Sequence, residues 1–224
     1  LWQLNIGIRK FQETKTDLIN LLSAFSDLDS IPCDYVQSCI VLIIGESYNR
    51  HHAHLYGYPL STTPEMEKRN PIVFNDVISP ANRTNEAIRH LFSPTRTDDT
   101  ISWSKLPLFP ALFKSAGYNV SFYSNQFVSS SKDESGYDWK SSFYLNHPIL
   151  SKACFSHRNA AQGNYDLGLI EDYISKQTTI ETGERDLIIF HLGGQHFDAK
   201  GQFPPDFEYF TIDSIPQNIP NEWQ

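Results

Sequence analysis

Two short, unbroken apolar runs constrain this chain most: IVLIIGE at 40–46 and DLIIFHL at 186–192. Neither alternates, and the first closes on Gly45 while Gly193 and Gly194 follow the second. A short continuous run bounded by glycine reads as a central parallel strand covered on both faces. Between these runs the apolar period changes to that of helices. Residues 9–28 place Leu18, Ile19, Leu21, Leu22 and Phe25 at helical spacing before Asp27 to Pro32 ends the pattern. Residues 84–92 (with Ala87, Ile88 and Leu91 inward), 106–116 (stopped by Gly117) and 165–177 are further helix candidates. Residues 72–79 and 119–125 read as two more strands. Helices alternating with buried strands predict an α/β fold, a mostly parallel sheet with helices on both faces.

The chain has 224 residues, 40% of them hydrophobic, which suits one compact α/β domain. Its net charge of −8 and the absence of a basic stripe argue against nucleic acid as a partner. An acidic protein that handles phosphate must attract it locally, through a metal, a helix N-terminus or a few placed cations. The three cysteines, Cys33, Cys39 and Cys154, allow one local disulfide at C-x5-C or buried thiols, and their spacing is not that of a zinc ribbon. No apolar run reaches the roughly 18 residues of a membrane span, and no secretory signal opens the chain. The first residues, LWQLNIGIRKF, lack Met and read as the beginning of an excised piece. The segment 195–224 holds Pro204, Pro205, Pro216 and Pro220, shows little periodicity and reads as loop.

Ligands of open α/β sheets bind beyond the carboxyl ends of the strands. Glu46 falls there after the first run, Asn125 and Gln126 after 119–125, and His196 after the glycines that follow the last run. Glu46 has two readings, a helix cap or surface acid, and a hard metal ligand held on a rigid element. Thr84 begins a helix with Glu86 in its first turn. It can be a plain N-cap, or a nucleophile at the positive helix end, where phosphate is favoured. His51, His52 and His54 lie together without metal-ligand spacing and read as structural or substrate-lining. His191, inside an apolar strand, reads as a satisfied core histidine. Lys132, His157 and Arg158 read as surface charge or as contacts for an anionic head group.

IVLIIGESYNRHHAHLYGYPLSTTPEME resembles the start of the catalytic domain of bacterial phosphoethanolamine transferases, zinc enzymes of the alkaline phosphatase and sulfatase superfamily. The shared features are Gly45-Glu46-Ser47 after an apolar strand, Leu55-Tyr56-Gly57-Tyr58, and Thr62-Thr63-Pro64. VISPANRTNEAIRHLFS resembles the nucleophile segment, with Thr84 nine residues before Ser93. LPLFPALFKSAGYNVSFYSNQ and DLIIFHLGGQHFDAKGQFPPDF resemble the later helix-strand and G-x-H segments, so the likeness runs in order from about Ile40 to Phe210. The resemblance implies an alkaline phosphatase-like fold, present in part. Residues 1–39 would be a helical lead-in and 40–224 a partial catalytic domain.

The resemblance further implies zinc held by Glu46 and Thr84, with Thr84 as the nucleophile. His196 would lie on the substrate side, with Asn125 and Gln126 lining the pocket. The family's S-D-H-G-E segment supplies an aspartate and a histidine to the metal, and no Asp-His-Gly occurs in these 224 residues. The implied reaction takes phosphoethanolamine from phosphatidylethanolamine to a lipid A or lipopolysaccharide sugar through a phosphothreonine. The implied place is the periplasmic face of the bacterial inner membrane, with an anchor lying outside this sequence. Two alternatives stand beside it: a phosphatase or phosphodiesterase of the same superfamily, and a catalytically inactive fragment. Sulfatases carry C/S-x-P-x-R, which this sequence lacks.

Overall fold

The structure is a computed structural model that describes residues 2–26, 28–34, 37–96, 98–128, 143–177, 185–196 and 199–211. Lys132 and the prolines at 216 and 220 lie outside the described residues. The chain divides into two compact units, Leu1–Ile44 with Pro80–Gly193, and Gly45–Ser79 with Gly194–Gln224.

In the first unit, α1 runs over Trp2–Ser26, about two turns longer at its start than the apolar period predicts. Strand β1 is Cys39–Ile44. Helices α3 (Thr84–Phe92) and α4 (Phe109–Ser115) lead to β2 at Asn119–Ser124. Then come α5 (Pro148–Cys154), a two-residue β3 (His157–Arg158), α6 (Tyr165–Lys176) and β4 (Asp186–His191). Local chemistry sets several of these ends. Pro110 opens α4 in its first turn, where a missing N–H is harmless. Gly117, at φ 87°, takes the left-handed conformation just past its end.

The four strands form one parallel sheet in the order β1-β4-β2-β3. Asp186 sits opposite both Cys39 and Asn119, and His191 opposite both Ile44 and Ser124, so β1, β4 and β2 end level. Alternate residues on each strand point to opposite faces. Val120, Phe122, Leu187 and Ile189 join Leu18 and Leu21 of α1, Ile88 and Phe92 of α3, and Leu150 and Cys154 of α5 in the main core. Tyr123, Ile188 and Phe190 pack on the other face against Leu169 and Tyr173 of α6. Helices therefore cover both faces of β2 and β4, as expected.

Strand β1 departs from expectation. It is an edge strand among the described residues, not a central one. Ile40, Leu42 and Ile44 pack on the main core, while Val41 and Ile43 stay 52% and 62% exposed. An apolar run shows that both faces can be buried, and it does not say that both have partners.

None of the three cysteines forms a disulfide: Cys33 is half-buried, Cys39 exposed and Cys154 buried. Arg158 is not surface charge. Its guanidinium donates to the carbonyls of Leu145 (3.1 Å) and Phe127 and to Ser151 Oγ (3.2 Å), and it lies over the Phe122 and Phe155 rings.

In the second unit, the segments expected to be characteristic fold into a tight knot. Short 3-10 turns at Arg50–His52 and His54–Tyr56 precede α2, Pro64–Glu67. Thr62 Oγ1 donates to the His52 carbonyl (2.7 Å) and accepts the His54 N–H (3.0 Å). Thr63 Oγ1 accepts the Leu55 N–H (2.9 Å) and donates to Glu67 Oε1 (2.8 Å). His54 Nδ1 meets Glu67 Oε2 at 2.9 Å. The hydrogen bonds from Thr63 and His54 hold the Glu67 carboxyl below its usual range. Gly57 closes the second turn at φ 97°, which L side chains rarely adopt.

Residues 72–79, expected to be a strand, are irregular. A bend at Asn75 and Asp76 interrupts the pattern, and Ile72, Phe74, Val77 and Ile78 are all largely exposed. Arg50 donates to the Asn75 carbonyl at that bend. The β-branched residues were there, but the break left three residues on each side and no ladder partner among the described residues.

Candidate active site

Thr84 is the first residue of α3, and Arg83 precedes it as N-cap in extended conformation without a side-chain capping bond. The first-turn N–H groups of a helix lie outside its own hydrogen-bond ladder and carry the positive end of the dipole. Glu86 in the first turn and Arg89 and His90 in the last complement that dipole. Arg89 also lies over the Trp103 ring, 5.1 Å from its centroid.

Thr84 opens onto a cavity of about 1280 Å³ whose wall also includes Arg83, Glu86, Arg89, Lys15 and Gln126. Gln126 and Phe127 reach this wall because they follow β2 at the carboxyl edge of the sheet. The cavity therefore sits where open α/β sheets bind ligands. The expected site residues Thr84 and Gln126 are brought together there.

The strand ends that shape this wall are tied by hydrogen bonds. Ser124 Oγ lies 2.9 Å from His191 Nδ1 and accepts the N–H groups of Gln126 (3.1 Å) and Phe127 (2.9 Å). His191 is fully buried, the core histidine expected, with the Phe127 ring stacked 5.4 Å from its own. Asn125 works as scaffold. Its amide nitrogen donates to the Tyr165 carbonyl (2.8 Å) and Asp166 Oδ1 (2.9 Å), and its Oδ1 accepts the Gly163 N–H (2.9 Å). Asp166 Oδ1 also accepts the Gly193 N–H at 2.8 Å, fixing the chain just beyond β4.

Glu46 and His196 belong to the second unit, apart from the unit that carries Thr84. Glu46 is buried at 9% exposure, and Ser47 Oγ donates to its Oε1 at 2.8 Å. Ser47 holds φ at 51°, a left-handed conformation unusual for a residue with a Cβ. A buried carboxylate with an oriented hydroxyl beside it is a built feature, and the reading of Glu46 as a surface acid fails. His196 is exposed.

A catalytic zinc takes three protein ligands and keeps one open position. Among the described residues no group of three or more His, Cys, Asp or Glu could hold a metal ion. Glu46 and Thr84 offer two oxygens, one donor short, and do not by themselves make a zinc site.

Sequence reasoning missed the α1 wall of the cavity. Leu4, Ile8 and Phe11 line it from one helical face. Their i, i+4, i+7 spacing straddled the predicted helix start at residue 9 and marked that face.

A parallel sheet covered by helices, with a hydroxyl at a helix N-terminus on a cationic cavity at its carboxyl edge, defines an α/β domain with a site suited to an anionic ligand. Residues 38–220 match the sulfatase family, and the chain belongs to it. It is 25% identical over 219 residues to phosphoethanolamine transferase EptC of Escherichia coli O18:K1:H7, covering 92% of this chain and 36% of that protein. The C-terminal periplasmic domain of EptC from Escherichia coli superposes with a TM-score of 0.61 at 25% identity, over 83% of this chain and 51% of that one. The same domain in complex with Zn gives 0.60 at 24% identity, over 83% and 52%. The chain thus spans little more than a third of that curated relative. The alkaline phosphatase-like architecture expected from the sequence is the one observed.

Proposed function

We propose that this chain is part of a zinc-dependent transferase that moves phosphoethanolamine from phosphatidylethanolamine to a lipid A or lipopolysaccharide sugar, through a phosphothreonine at Thr84. The observation that carries this reading is Thr84 as first residue of α3 on the wall of a cationic cavity. The likeness to phosphoethanolamine transferases supports it.

In the first half-reaction the Thr84 oxygen bonds to the donor phosphorus as its proton leaves. The bond from phosphorus to the diacylglycerol oxygen breaks, and that oxygen takes up a proton. In the second, an acceptor hydroxyl gives up its proton as its oxygen bonds to phosphorus, the bond from phosphorus to the Thr84 oxygen breaks, and that oxygen takes up a proton. The α3 N-terminus and Arg83 stabilise negative charge growing on the phosphoryl oxygens. Gln126 is a further donor on that wall. His196 is proposed as a ligand of the phosphoryl group or the proton donor to the leaving oxygen. Asn125 supports the pocket by fixing the 163–166 turn.

Glu46 is proposed as a metal ligand together with Thr84. A relative solved as a Zn complex supports the choice of metal. The remaining ligands would come from sequence of the S-D-H-G-E kind. The proposed location is the periplasmic face of the inner membrane, as in the relative whose periplasmic domain is known. No helix among the described residues is long and apolar enough to cross a membrane.

Incubating the protein and zinc with tail-labelled phosphatidylethanolamine tests the reading. Diacylglycerol should be released and Thr84→Ala should release none. Equal release by the variant would refute Thr84 as nucleophile, and release of free phosphoethanolamine with no capture by a glycolipid would favour a hydrolase.

A further inference from the structure

The cavity beside Thr84 is amphipathic along its length. Helix α1 contributes Leu4, Ile8 and Phe11, which remain 62%, 48% and 40% exposed although they are large and apolar. These three share one helix face over about 10 Å of axis. Further along the same helix the wall turns polar with Lys15, and Arg83, Arg89 and Thr84 line the same cavity. Three cations and a single carboxylate, Glu86, line a cavity in a chain whose net charge is −8. The Arg89 Nε and the Gln126 side-chain nitrogen are buried on this wall with no hydrogen-bond partner among the described residues. Buried donors left in that state call for an acceptor.

An apolar stripe leading to unmatched donors and cations fits one kind of molecule, an amphiphile with an anionic head. We propose that the α1 groove is the acyl subsite for a phospholipid. One chain lies along Leu4, Ile8 and Phe11, and the phosphodiester rests against Arg83, Arg89 and the first turn of α3. This deepens the reading of Thr84 as the group that attacks phosphorus, and it rests on that reading for its choice of phospholipid. It makes α1 part of the binding site as well as a core helix.

Calorimetric titration of the chain separates the two claims. The probes are dihexanoylphosphatidylethanolamine below its micelle concentration, glycerophosphoethanolamine, and a nonionic six-carbon glucoside. The short-chain lipid should bind about tenfold tighter or more than glycerophosphoethanolamine, from apolar burial on α1. Ile8→Gln and Phe11→Gln should abolish that difference. Both positions are substantially exposed, so the thermal midpoint should not move. Equal affinities in the parent chain would overturn the subsite, as would a preference retained by both variants. Equally tight binding of the glucoside, or binding to vesicles only, would also overturn it. A phosphoethanolamine adduct that persists in Thr84→Ala would defeat the nucleophile reading while leaving the groove assignment standing.

Discussion

Ser124 and His191, paired in register at the ends of β2 and β4, are joined by a 2.9 Å contact between Oγ and Nδ1. The same hydroxyl accepts the N–H groups of Gln126 and Phe127. With its oxygen accepting twice, the hydroxyl has its own hydrogen left to donate toward Nδ1. One buried serine thus links the sheet core to the cavity wall. Ser124→Ala should cost about 1–3 kcal/mol of stability in urea titration. It should also weaken short-chain lipid binding, because the turn carrying Gln126 and Phe127 loses its anchor. Unchanged stability would show the contact to be incidental.

Arg158 holds together parts of the chain far apart in sequence. Its guanidinium serves Leu145, Ser151 and Phe127, and no other side chain could cover all three. Arg158→Leu leaves those acceptors unmatched and should destabilise by about 3 kcal/mol. Arg158→Lys should recover only part of the loss. Denaturant midpoints of the two variants give the comparison directly.

The sheet and helices were legible because period and length carry most of the information for β2, β4, α3 and α6. What failed was partnership. Nothing in IVLIIGE tells an edge strand from a central one, and Val41 and Ile43 would look the same in either place. Residues 72–79 had strand chemistry without a pairing neighbour among the described residues. In the site, Thr84 and Gln126 could be placed from helix start and strand end. Asn125 could not, because its scaffold role depends on Gly163 and Tyr165, about 40 residues away. The α1 contribution was written in the spacing of Leu4, Ile8 and Phe11, but the helix had been started too late to use it.

Cys154 and Cys39 should differ sharply in reactivity. Burial, offset only in part by Lys114 and Arg158, pushes the Cys154 thiol far above its ordinary value of 9.0. The thiol is thus held in its unreactive form. Ellman's reagent at pH 8 should label Cys39 rapidly and Cys154 only on unfolding. The folded Cys154 keeps a proton that the unfolded chain releases above pH 9.0, so the unfolded state binds fewer protons there and stability falls as pH rises. Burial likewise raises the Tyr123 phenol to about 12, which extends the decline through that pH. Stability constant from pH 8 to 11 would contradict this.

Gly163 sits against the start of α6 so closely that a Cβ would lie 2.3 Å from Leu169 N and 2.6 Å from Gly168 C, both backbone. Backbone yields less readily than a side-chain tip. Gly163→Ala should therefore cost about 1–3 kcal/mol and disturb the turn that Asn125 holds. A thermal midpoint equal to the parent's would mean the turn relaxes freely.

The most direct test of the account is the intact mass of the protein after incubation with phosphatidylethanolamine and zinc, followed by peptide mapping. The account predicts one phosphoethanolamine per chain, located on Thr84, with the adduct reduced on the order of 10³-fold or more in Thr84→Ala. An adduct on another residue, an undiminished adduct in the variant, or no adduct on the parent protein would contradict it.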